Sequence, residues 1–127
     1  MAKSLAILGA GRVGRALGRR LRELGWEIHG VAARSEVSAQ KAVRFIGGGK
    51  ALVGVSRMLL NARRILVTVP DDAIGEAARE LARVGGEELA GKVVLHTSGA
   101  LDARVLGPLR SWGASVASII RCRLLVE

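Results

Sequence analysis

Near the start of the chain, Gly9-Ala10-Gly11-Arg12-Val13-Gly14 spaces three glycines as G-x-G-x-x-G. That spacing serves one kind of chemistry. A strand turning sharply into a helix needs one glycine for the turn, a second where backbone approaches a bound pyrophosphate, and a third where helix and strand touch. The free N–H groups and positive dipole of the helix start then face the phosphates. In a chain with 17 glycines the pattern alone says little. Its context gives it weight, because it follows the apolar run Leu5-Ala6-Ile7-Leu8 and precedes a helical pattern.

The next informative position lies at the end of the second strand, about twenty residues further on, where an NAD-selective site carries Asp or Glu against the ribose 2′-hydroxyl. Here the sequence reads Val31-Ala32-Ala33-Arg34-Ser35, with no carboxylate before Glu36. A forked guanidinium at Arg34 suits a 2′-phosphate, and Ser35 can donate a further hydrogen bond. The expected cofactor is therefore NADP(H) rather than NAD(H). Ligands of open parallel sheets sit at the carboxyl ends of strands, which adds Val69, Pro70 and Asp71 after the fourth strand and Thr97, Ser98 and Gly99 after the fifth. His96 reads as structural, since it ends an apolar strand. Ser98 has no visible base partner for nucleophilic work. No metal-ligand spacing is present, so no metal is expected and catalytic residues stay unassigned.

Elements that position these residues follow from periodicity. Strands are expected at Leu5–Leu8, Glu27–Ala33, Ala51–Val53, Ile65–Val69 (ended by Pro70), Lys92–Thr97 and Ser115–Ile119. Val13, Ala16, Leu17, Leu21 and Leu24 recur at helical spacing, and Gly25 stops that helix. Ser35 caps a second helix running to Phe45, a short helix spans Ser56–Asn61, and a longer one buries Ile74, Ala77, Ala78, Leu81 and Ala82. A last helix is expected from Leu101 to Leu109. Gly47-Gly48-Gly49 reads as a connection rather than a second phosphate cradle. Alternating strands and helices call for an α/β fold: a doubly wound, Rossmann-like parallel sheet with helices on both faces, in a single domain.

Composition narrows the class further. The chain has 127 residues, enough to bury one core. No apolar run approaches the roughly 18 to 20 residues of a membrane span. Glycines and arginines break the first apolar segment, so no secretory signal is expected. A single cysteine, Cys122, cannot close an internal disulfide, which points to a reducing cytoplasm. The net charge of +9 raises the question of nucleic acid. The arginines are scattered, however, and Trp26, Phe45 and Trp112 are too few for base stacking. The expected partners are a small-molecule dinucleotide and a second copy of the chain, with no nucleic acid and no membrane.

Taken in order, Ile7–Gly14, Ala33-Arg34-Ser35, Thr68-Val69-Pro70-Asp71-Asp72-Ala73-Ile74 and His96-Thr97-Ser98-Gly99-Ala100-Leu101 resemble one family. This is the DUF2520 family of Rossmann-like proteins, relatives of pyrroline-5-carboxylate reductase, ketopantoate reductase and the deazaflavin-dependent NADP reductases. The similarity covers residues 4 to about 119. It implies an NADP-binding domain followed by a helical C-terminal domain that completes the active site and mediates dimerisation. It implies no particular substrate.

The resemblance breaks at the end. Family members continue with Ser-x-His-Pro-Leu-Gln-(Thr/Ser)-Phe and then a further domain. This chain reads Ile120-Arg121-Cys122-Arg123-Leu124-Leu125-Val126-Glu127. Encode Ser118 to Glu127 as AGC ATC ATC CGC TGC AGA CTT TTG GTG GAG. One C inserted after the second codon then gives Ser-Ile-His-Pro-Leu-Gln-Thr-Phe-Gly-Gly. The expectation is a dinucleotide-binding domain over 1–119 and a frameshifted, truncated tail over 120–127, in which Cys122 is an accident of reading frame. The expected function is the NADP(H)-binding domain of an oxidoreductase, inactive alone. The alternative is a non-catalytic dinucleotide-binding or sensing module.

Overall fold

The computed structural model describes residues 3–119. The proposed tail, residues 120–127, lies outside the described residues, and Cys122 with it. Strand β1 (Ser4–Leu8) is buried along its whole length. The reason is its place at the centre of a six-stranded sheet, between β2 (Glu27–Ala33) and β4 (Arg64–Val67). With β3 (Lys50–Val53), β5 (Val93–His96) and β6 (Ser115–Ser118), the order is β3-β2-β1-β4-β5-β6, and every neighbouring pair is parallel. Central parallel strands have helices on both faces, so their sequences read as unbroken apolar runs rather than alternating ones.

Two helices, α1 (Arg12–Glu23) and α2 (Glu36–Ile46), pack over β1 to β3 on one face, around Ile7, Val31, Ile46 and Leu66. The opposite face is covered by α3 (Asp71–Gly85), α4 (Gly107–Arg110) and 3-10 turns at Arg57–Asn61 and Ala103–Leu106. Ile65, Val67 and Val94 meet Ile74, Leu81 and Leu106 there, all almost fully buried. The sheet is doubly wound and forms one domain, as the alternation of elements required.

Two expectations need correction. The fourth strand ends at Val67, not Val69: the Thr68 N–H still donates to the Leu8 carbonyl, but the chain then turns at Pro70, which has no N–H for the ladder, into the helix beginning at Asp71. The helix expected over Leu101–Leu109 is a 3-10 turn followed by a single α-turn. Pro108 has no N–H to carry a continuous helical ladder through the segment. Gly47 and Gly49 take positive φ (95° and 102°) in the α2–β3 connection, far from the ends of β1 and β4. On the α1/α2 face, no described helix covers β5 and β6. Val93, Leu95 and Ala117 are half-buried there, and Ile119 is exposed. Among the described residues, no helix is long and apolar enough to cross a membrane.

Candidate functional site: a crevice above the β1 and β4 ends

The glycine loop is fixed by contacts that leave glycine no substitute at two of its three positions. Gly9 has φ +118°, and a Cβ there would lie 2.7 Å from the Thr68 carbonyl carbon. A Cβ at Gly14 would meet Thr68 Oγ1 at 2.5 Å and the Gly9 carbonyl oxygen closer still. These two glycines let β1, α1 and the end of β4 touch. Thr68 completes the arrangement. Its N–H donates to the Leu8 carbonyl at 2.8 Å, and its buried hydroxyl donates to the Gly9 carbonyl, also at 2.8 Å.

Gly11 differs from both. Its φ of −78° suits any residue, and a Cβ there meets nothing within 4 Å. No protein contact requires glycine at this point, so the space above it is free for something else. The first turn of α1 also has no side-chain cap and no acidic residue. Helix α3 opens onto the same crevice but carries Asp71 and Asp72 in its first turn, which already answer its dipole. An anion entering the crevice is therefore drawn to α1 and repelled at α3. The residues fit a pyrophosphate.

The crevice has a volume of about 1070 Å³, room for a whole dinucleotide. Of the residues expected at the site, 9–13, Arg34, 69–71 and 97–99 all line it. Gly14 and Ser35 do not. Gly14 works through packing, and the Ser35 hydroxyl caps α2, accepting from the Ser38 N–H at 3.2 Å and donating to the Ser38 hydroxyl at 3.1 Å. Ser38 lines the crevice instead. Arg34 is exposed and takes part in none of the ion pairs among the described residues.

One wall was missed in the sequence. Ala73, Glu76, Ala77 and Glu80 form a stripe along α3 that lines the crevice, as do Gly54 and Val55. Gly75 lies on another side of the helix, towards Val105. A hydrogen bond from Arg83 holds the Glu80 carboxyl below the usual carboxylate range, so Glu80 meets the crevice as one partner of an ion pair. Its signal was present as the i, i+3, i+4, i+7 spacing of these residues, but alanines at that spacing also read as core. Thr68 also lines the crevice, and no local pattern in the Thr68–Ile74 segment marks it as a site residue.

At the β5 end, His96 is completely buried. Its Nδ1 accepts from the Ser98 N–H at 3.1 Å, and its Nε2 lies 2.8 Å from the Asp102 carbonyl oxygen. Ser98 Oγ accepts from the N–H groups of Ala100 and Leu101, so it is held as a turn-forming group rather than a nucleophile. Among the described residues no group of three or more His, Cys, Asp and Glu could hold a metal ion.

The sequence matches the Rossmann-like domain family over residues 2–120. The chain belongs to that family. The fold of this Rossmann-like domain is shared with much longer proteins. An imine reductase from Bacillus cereus is 21% identical, with a TM-score of 0.69 over 91% of this chain and 39% of that one. An arogenate dehydrogenase from Synechocystis is 18% identical, with a TM-score of 0.70 over 86% of this chain and 37% of that one. A prephenate dehydrogenase from Aquifex aeolicus, solved with hydroxyphenyl propionate and NAD+, is 18% identical, with a TM-score of 0.69 over 93% of this chain and 41% of that one. The Rossmann-like domain thus spans about two fifths of the length of these structures. No curated protein matches the sequence.

Proposed function

We propose that this chain is the dinucleotide-binding domain of an oxidoreductase and that its cofactor is NADP(H). The observation that carries the reading is the empty space above Gly11, at an uncapped helix start free of acidic residues. Similar structures support a nicotinamide dinucleotide, since one of them was solved with NAD+. Arg34 favours the phosphorylated form. In this reading the first-turn amides of α1 hold the pyrophosphate, Arg34 pairs with the 2′-phosphate, and residues 69–71 and 97–99 flank the nicotinamide. The nicotinamide supplies hydride chemistry when bound, and these residues bind and orient it.

Groups that activate a substrate are proposed to lie outside residues 1–119, in keeping with the greater length of the similar structures. Calorimetric titration with NADPH is expected to give one site per chain. Absence of binding by both NADPH and NADH would overturn the reading.

A second copy is proposed as the partner of the face of β5 and β6 that no described helix covers. Half-buried Val93, Leu95 and Ala117 are the kind of surface that association covers, and symmetric pairing is its commonest form. The opposing term is the +9 charge, which physiological salt screens over about 8 Å. Sedimentation at micromolar concentration in physiological salt is expected to show a dimer. A clean monomer contradicts it.

A further inference from the structure

We propose that His96 is a positioning residue for the nicotinamide half of the cofactor, acting through the loop of residues 97–102 without touching the cofactor itself. The inference rests on the dinucleotide reading above. A fully buried polar side chain such as His96 needs a reason, because desolvation penalises it unless every polar atom finds a partner. His96 finds both partners in the backbone just ahead of it. The Ser98 N–H can only donate and the Asp102 carbonyl can only accept. The ring is therefore held in one tautomer, with Nδ1 bare and Nε2 protonated. It cannot deliver a proton to the crevice, since neither nitrogen is free and the side chain has no exposed surface.

What the ring does is bend the chain. It bridges the second and the sixth residue after itself, and it closes the segment that forms the crevice wall beyond β5. Ser98 then takes the N–H groups of Ala100 and Leu101, and the Ile119 N–H ties the His96 carbonyl to β6 at 2.8 Å. After these bonds the Gly99 amide has no partner among the described residues, and a Cβ on Gly99 would meet nothing within 4 Å. Gly99 itself lines the crevice, so the loop offers an unbonded backbone N–H there on its least bulky residue. Crevice position follows from strand order. Arg34 follows β2 on one side of the glycine loop, whereas Gly99 follows β5 on the other. Only the nicotinamide half of a dinucleotide anchored at Gly11 and Arg34 reaches this loop.

Comparing NADPH with 2′,5′-ADP separates the two halves, because the fragment carries the adenosine and 2′-phosphate but no nicotinamide. In His96→Leu, which removes both ring hydrogen bonds, NADPH is expected to bind roughly tenfold more weakly, about the worth of one well-placed hydrogen bond. Affinity for 2′,5′-ADP is expected to stay within about twofold, since no contact to that half is altered. His96→Asn keeps an acceptor near the place of Nδ1 and is expected to fall between wild type and His96→Leu. It carries the same comparison if the leucine variant does not fold. In the wild-type protein, a long-range 1H–15N spectrum is expected to show Nδ1 unprotonated, and the Gly99 amide signal is expected to shift with NADPH but not with 2′,5′-ADP. Equal losses for both ligands would make His96 a purely structural residue and overturn the proposal, as would unchanged NADPH binding in both variants. If wild type binds neither ligand, the dinucleotide reading itself falls. If it binds 2′,5′-ADP as tightly as NADPH, only the positioning role falls.

Discussion

Gly11→Ala is expected to leave the fold standing while removing most of the dinucleotide affinity. The backbone at Gly11 lies at φ −78°, so alanine adds no strain, and its methyl would meet no protein atom within 4 Å. Replacing glycine reduces the freedom of the unfolded chain, typically worth about 0.4–1 kcal/mol, but Gly11 is the N-cap of α1, where alanine is less favourable than glycine by an amount of similar size. The melting temperature should therefore stay close to that of the wild type. A bound pyrophosphate would meet that methyl at the place where backbone should be closest. Overpacking of this kind costs about 1–3 kcal/mol, a loss of roughly 5- to 150-fold in affinity. Gly14→Ala is the matched control. Its methyl would collide with the Gly9 carbonyl and the Thr68 hydroxyl, so it should melt at lower temperature whether or not a ligand is present. Calorimetry and thermal unfolding of both variants decide the matter. Normal NADPH affinity in Gly11→Ala would remove the phosphate cradle from the proposal.

The contrast between these two glycines also shows what the sequence could convey. The G-x-G-x-x-G spacing between an apolar run and a helical pattern specifies a strand–turn–helix, because few other structures want glycine at all three points. The buried strands were legible as unbroken apolar runs, and with them the parallel sheet. What escaped lies where one residue type serves two ends. Thr68 reads by composition as one more residue of the strand beginning at Ile65, and its N–H does reach the Leu8 carbonyl, but its hydroxyl holds Gly9, a contact spanning 59 positions that no local pattern announces. Ala77 has the spacing of a core-facing residue and does pack against the core, yet with Ala73 it also lines the crevice, a second role that its spacing does not show. Ser35 was legible both as a cap and as a phosphate ligand. The structure shows its hydroxyl engaged with Ser38, so its capping role is the one that local backbone chemistry enforces. Pro108 broke a helix whose apolar residues, Leu101, Val105, Leu106 and Leu109, otherwise keep helical spacing.

Arg34→Ala is expected to abolish a preference for NADPH over NADH that the wild-type chain should show. The argument begins with position. Arg34 directly follows the last residue of β2, lines the crevice, and no carboxylate precedes Glu36 to repel a phosphate. Its side chain takes part in none of the described ion pairs, so no existing interaction has to break before a 2′-phosphate is bound. Bidentate, charge-assisted hydrogen bonds to phosphate contribute about 1.5–3 kcal/mol, or roughly 10- to 150-fold. Because Arg34 is exposed, water and salt screen the pair, and the lower half of that range is expected. The preference should accordingly shrink as ionic strength rises. Loss of the guanidinium should weaken NADPH and leave NADH nearly unchanged, since only the phosphorylated cofactor uses it. Ser35→Ala provides the discriminating comparison. Removing a helix cap costs about 0.5–2 kcal/mol of stability, but with the hydroxyl already engaged by Ser38 the cofactor preference should persist. Calorimetric titration of wild type and both variants with NADPH and NADH is the measurement. An equal affinity for the two cofactors in wild type, or a preference that survives Arg34→Ala, would assign the choice of cofactor to some other residue.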